Sequence, residues 1–103
     1  MSNYHIDISP EAKQILIEWV DLCEANQNHE AALSLIDAYE NLLSTLEKQP
    51  KAGTGNLQDI PSKYRAILLW KHLWVIYQIQ EKHQKIIIEY IIDDRQDYRL
   101  FVH

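Results

Sequence analysis

Glycine and proline are scarce, with two and three residues in a chain of 103. Disordered and low-complexity chains are enriched in both, so this composition excludes them. Cysteine is rarer still. Cys23 stands alone, which rules out an internal disulfide and a cysteine-based zinc site. It falls in an apolar helical stripe and reads as a core thiol. No apolar run approaches the roughly 18–20 residues of a membrane span. Met1-Ser2-Asn3-Tyr4-His5 has neither the basic start nor the apolar stretch of a signal peptide, so a cytoplasmic chain is expected, with no membrane contact. His72, His83 and His103 show no ligand-pair spacing. No metal and no cofactor is expected.

Positive charge is short in one half only. Residues 1–60 hold ten acidic side chains against Lys13, Lys48 and Lys51, whereas residues 61–103 hold seven basic against five acidic. The formal net charge of −5 argues against indiscriminate nucleic-acid binding, which draws its affinity from phosphate neutralisation. No sequence-specific DNA binding is expected, although a local basic site in the second half stays open.

The apolar pattern divides the chain. Tyr4-His5-Ile6-Asp7-Ile8 alternates as a half-buried strand does. Ser9-Pro10-Glu11 reads as a helix start: a side-chain acceptor for a free amide, a ring suited to the first turn, and a carboxylate at the positive helix end. Apolar residues at 12, 15, 16, 19, 20 and 23 predict a helix over 11–26. A second stripe through Ala32, Leu35, Ile36, Tyr39, Leu42, Leu43 and Leu46 predicts another over 29–48. The short polar break between them implies an antiparallel hairpin. Pro50, Gly53, Gly55 and Pro61 mark a loop. β-rich stretches then predict strands at 64–70, 73–80 and 85–92, joined by connections too short for parallel crossovers and therefore forming an antiparallel meander.

Pairing through those turns sets 70 opposite 73, 66 opposite 77, 80 opposite 85 and 75 opposite 90. One sheet face would then show Tyr64, Ala66, Leu68, Trp70, Leu73, Val75, Tyr77, Ile79, Ile86, Ile88, Tyr90 and Ile92. It carries no charge and is expected to receive the helices. The other would show Arg65, Ile67, Leu69, Trp74, Ile76, Gln78, Ile87, Glu89 and Ile91. That is too apolar for plain solvent. Either a partner covers it, or residues 96–103 do.

Strand, helical hairpin, Pro/Gly loop and meander, in that order, resemble the RelE/ParE superfamily of bacterial toxins. The residues carrying the likeness are Lys63-Tyr64-Arg65-Ala66-Ile67-Leu68-Leu69-Trp70, Trp74-Val75-Ile76-Tyr77-Gln78-Ile79 and Ile91-Ile92-Asp93-Asp94-Arg95-Gln96-Asp97-Tyr98. The resemblance implies an α+β fold in a single domain over 1–103. It also implies a type II toxin–antitoxin pair with a cognate antitoxin as partner, and either DNA gyrase or the ribosome as target. One branch of the superfamily cuts mRNA on the ribosome; the other poisons gyrase.

For the nuclease branch, Arg65, Arg95 and Tyr98 are the candidate catalytic residues. Trp74 and Ile67, however, stand where that branch tends to carry cations. RNA cleavage needs a group to activate the ribose hydroxyl and cations to hold the phosphorane charge. That set is incomplete here, so the gyrase-poison branch is favoured over the endoribonuclease, with an inactive antitoxin-binding module as a third possibility. Arg65, Trp74, Ile76, Gln78, Arg95, Tyr98 and Phe101 are the candidate partner-contact residues. For Arg65 and Arg95 a purely structural pairing with nearby acids stands beside that role.

Overall fold

The computed structural model describes residues 3–53, 57, 60–96 and 102. Strand β1 (His5–Ile8) leads into helices α1 (Pro10–Ala25) and α2 (His29–Lys48), and strands β2 (Arg65–Trp70), β3 (Leu73–Gln80) and β4 (Lys85–Asp93) follow. Ser9 starts α1 as expected, its hydroxyl accepting from the Ala12 amide at 3.0 Å while it donates to the Glu89 carbonyl at 2.7 Å. Asn28 caps α2 through the Ala31 amide at 3.1 Å. The turn before β4 closes on Gln84 in the left-handed region.

The three-strand meander forms as predicted, and β1 adds to it. It runs parallel to β4 through the register Ile6 to Ile86 and Ile8 to Ile88, giving the order β1-β4-β3-β2. The hairpin lies across one face. Ala12, Leu35, Leu42 and Leu46 from the helices meet Leu73, Val75, Tyr77, Ile86 and Ile88 from the sheet, all buried. Burial of this apolar surface is the main stabilising term.

Two bulges correct the predicted faces. Pairing begins with Trp70 opposite Leu73 as expected, but Leu69 is then left over, and Leu68 sits opposite Trp74. In β4, Glu89 is left over between Ile88, opposite Tyr77, and Tyr90, opposite Ile76. Because side chains alternate, one extra residue moves every later side chain to the other face. Leu69 therefore packs under the helices while Leu68 is 51% exposed. Ile67 and Ile91 join the helix-side core. Tyr64, Ala66, Tyr90 and Ile92 turn away from it, into a second cluster with Ile76 and Val102. Of the four sheet residues expected beneath the helices, Val75 and Ile88 are there, and Leu68 and Tyr90 are not.

These placements give opposite expectations for adjacent leucines. Leu69→Ala should cost roughly 2–5 kcal/mol of unfolding free energy, and Leu68→Ala no more than about 0.5 kcal/mol. Urea titration of both variants checks this, and equal losses would contradict the bulge.

Candidate functional site

The candidate residues separate into two polar centres at opposite ends of the sheet. At one end Arg65 lies beside Tyr77, its register partner, on the helix side rather than on the mixed face predicted for it. Its guanidinium donates to the Gly53 carbonyl at 2.7 Å. The Tyr77 hydroxyl donates to the Pro50 carbonyl at 2.7 Å and accepts from the Gly53 amide at 2.9 Å. Burial pushes the Tyr77 phenol above its usual range. A Cβ on Gly53 would lie 2.6 Å from that hydroxyl and 2.8 Å from the Ala66 carbonyl, so the close approach requires glycine. Arg65 thus pairs with backbone carbonyls, not with the acidic side chain considered as its structural partner.

At the other end the β2–β3 turn meets the end of β4. Asp93, 6% exposed, accepts from the Arg95 guanidinium at 3.0 and 2.7 Å and from the Arg95 amide at 2.9 Å. The Arg95 hydrogen bonds hold the Asp93 carboxyl below its ordinary value of 3.8, and the same contact raises Arg95. Asp94 accepts from Trp74 Nε1 at 2.9 Å and pairs with His72 Nδ1 at 3.0 Å. The local pairing weighed for Arg95 is what the structure contains.

Arg65 and Arg95 are not brought together. Arg65 sits opposite Tyr77, whereas Arg95 lies two residues beyond Asp93, which sits opposite Leu73; Tyr77 and Leu73 are four residues apart on β3, about 13 Å of strand. Ile76 is fully buried beneath the cluster containing Val102, Leu57 and Ile60. It offers a partner no surface, because the chain covers that part of the sheet itself. Gln78 is half-buried and donates to Glu89 at 2.6 Å. Tyr98 and Phe101 lie outside the described residues. Tyr64, edge-on to Tyr90 at 5.9 Å, is raised to about 12, first by burial and then by that neighbour. It is a poor proton donor or base at neutral pH. Among the described residues no group of three or more His, Cys, Asp or Glu side chains could hold a metal ion, and no helix is long and apolar enough to cross a membrane.

Sequence reasoning missed the outer side of the helical hairpin. Ile17, Leu22, Leu33 and Ile36 are 40–49% exposed, and a groove lined by Leu16, Ile17, Val20, Ile36 and Tyr39 runs between the helices. The signal was present: Ile17, Leu22 and Leu33 lie off the two stripes that the core accounts for.

A helical hairpin on a four-stranded sheet of this order, with the described Arg65 and Arg95 paired within the chain, is the α+β frame expected from the RelE/ParE resemblance. The comparisons agree. The model for the ParE toxin of the type II toxin–antitoxin system parDE matches residues 6–98, and the chain belongs to that family. A solved structure described as a chromosomal ParDE system from P. aeruginosa superposes with a TM-score of 0.69 at 16% identity, covering 87% of this chain and 95% of that one. No curated protein matches.

Two expectations follow from the polar centres. Tyr77→Phe leaves the buried Gly53 amide without its acceptor and should cost about 1–3 kcal/mol, read as a lower urea midpoint. Asp93 contributes stability that is present above its unfolded value and is lost as pH falls through its lower folded value. The drop in stability between about pH 5 and pH 2 should therefore be smaller in Asp93→Asn than in the parent chain. Parallel drops in the two proteins would remove Asp93 as a source of the pH dependence.

Proposed function

We propose that the chain is the toxin half of a type II toxin–antitoxin pair, restrained by a cognate antitoxin and arresting growth through contact with DNA gyrase. The observation that favours contact over cleavage is the state of its two described arginines. Arg65 is spent on backbone carbonyls and Arg95 on the Asp93 carboxylate, and they stand far apart on the sheet. Removing one preorganised charge contact costs about 10²–10³ in rate, so an RNA-cleaving site lacking both is greatly weakened. A protein-contact poison needs a stable fold and a presented surface. The apolar residues left exposed on the hairpin supply one, and Trp74, half-buried and oriented by Asp94, supplies another for the target or the antitoxin.

The competing reading is a ribosome-dependent endoribonuclease. Expression of the chain without its antitoxin separates the two. Growth arrest with a DNA-damage response and intact mRNA is expected. Rapid codon-specific mRNA cutting, abolished by Arg65→Ala and Arg95→Ala, would install the endoribonuclease instead. Growth without arrest would favour an inactive antitoxin-binding module.

A further inference from the structure

A cavity of about 270 Å³ lies where the α1–α2 turn meets the β2–β3 turn. Trp19 and Trp70 line it, and both also pack on the helix-side core. Asn26 and Asn28 come from the helical turn, and Lys71 and His72 from the strand turn. The lining carries Lys71 and Arg95 against Asp93, two positive charges to one negative, in a chain whose formal net charge is −5. The negative end of α1 and the positive end of α2 both abut the cavity, so their partial charges offset one another. The cations of the lining therefore set its sign.

Much of the polar lining is unspent. Lys71 has no ion pair among the described residues; its ammonium lies 4.5 Å from the centre of the Trp70 ring. His72 uses Nδ1 on Asp94 at 3.0 Å and keeps Nε2 free. The Trp19 N–H and the Asn26 side-chain amide have no hydrogen-bond partner among the described residues. Asn28 uses only its oxygen, on the Ala31 amide. Arg95 commits Nε and Nη2 to Asp93, which leaves Nη1. The backbone adds an independent sign. Lys71 opens the two-residue β2–β3 turn with φ of 51°, a position and conformation that ordinarily take glycine. A side chain kept at a backbone position that disfavours it points to a task for that side chain.

We propose that this cavity binds a purine 5′-mononucleotide, with its base against the indoles of Trp19 and Trp70 and its phosphate at Lys71 and His72. Indoles hold flat bases by stacking, and the Asn26 amide offers the donor and acceptor that a purine edge pairs with. An ammonium and an imidazole N–H suit a phosphate. The volume sets the size of the ligand. It lies just under the roughly 300–1,000 Å³ of drug-sized sites, which leaves room for one nucleotide and not for a strand. An acidic chain lacks the bulk positive charge that holds a nucleic acid, but it can hold a single anion in a built site. The proposal does not depend on the toxin reading.

Titration of the full chain with adenosine monophosphate, followed by NMR, tests it. The three tryptophans give three indole N–H signals. Those of Trp19 and Trp70 should move as the nucleotide binds, and that of Trp74, already bonded to Asp94, should move much less. Adenosine and inorganic phosphate, each carrying half of the ligand, should bind about tenfold more weakly or worse. Lys71→Gly should weaken binding by about tenfold and reduce its salt dependence, while its urea midpoint stays at or above that of the parent chain, because glycine suits the turn. Asn28→Asp keeps the α2 cap but brings a carboxylate to the cavity, and should weaken binding by about fivefold. No binding at millimolar nucleotide, phosphate binding as well as the nucleotide, an adenine oligonucleotide binding more tightly than the mononucleotide, or Lys71→Gly binding like the parent would each overturn the proposal. If Lys71→Gly loses its fold, the indole signals of the parent chain and the comparison with adenosine and phosphate decide.

Discussion

Ser9 sits where three things happen together: β1 ends, α1 begins, and β4 loses its outer neighbour. Its hydroxyl holds the first turn of α1 through Ala12 and the bulged Glu89 carbonyl of β4, while its amide closes the parallel ladder at Ile88. A helix must satisfy its free N-terminal amides, and here one of them is satisfied by the group that also anchors the helix to the sheet. That joint sets the direction of α1 along the rest of β4, places Ala12 and Ile15 over the core, and leaves the distal part of β4 unpaired on its outer side. The bulge belongs to the same joint, since the extra residue lies beside Ser9 and turns Ile91 inward and Tyr90 outward.

The elements were legible from pattern alone because their signals are local. Apolar spacing, the Ser9-Pro10 start and the Pro50 stop place both helices within a residue of their observed ends, and β-rich stretches place the strands equally well. The faces were legible only near the turns. Trp70 opposite Leu73 and Ile79 opposite Ile86 follow from turn geometry, but register beyond a bulge does not. Leu69 and Glu89 carry no glycine or proline to announce that they bulge. The pairing of β1 was also unreadable, because a parallel partner is chosen by tertiary packing across most of the chain.

The polar residues were harder to read than the apolar ones. An arginine opening a strand suggests a ligand contact in sequence, yet Arg65 is drawn onto the Gly53 carbonyl by the same loop that Tyr77 pins. Nothing in the order of residues places Gly53 next to Tyr77; only the folded sheet does. Asp93-Asp94-Arg95 was more informative, because three charges in a row are within reach of one another whatever the fold. Even so, the split in duties came from alternation at the strand end: Asp93 turns to Arg95, and Asp94 turns to His72 and Trp74.

An unpaired strand edge invites indiscriminate pairing, and proteins blunt such edges by shortness, bulges, charge or cover. The outer edge of β4 beyond Ile88, which β1 leaves open, has all four in partial form. It is short, begins at a bulge, is shadowed by α1 and is rimmed by Glu11 and Glu18. Two copies meeting edge to edge would crowd four carboxylates into one apolar cleft, where like charges are poorly screened and desolvation adds to their repulsion. Glu11 and Glu18 on the rim of this cleft would therefore disfavour a copy of the chain itself, a discrimination that comes from what is excluded as much as from what is bound.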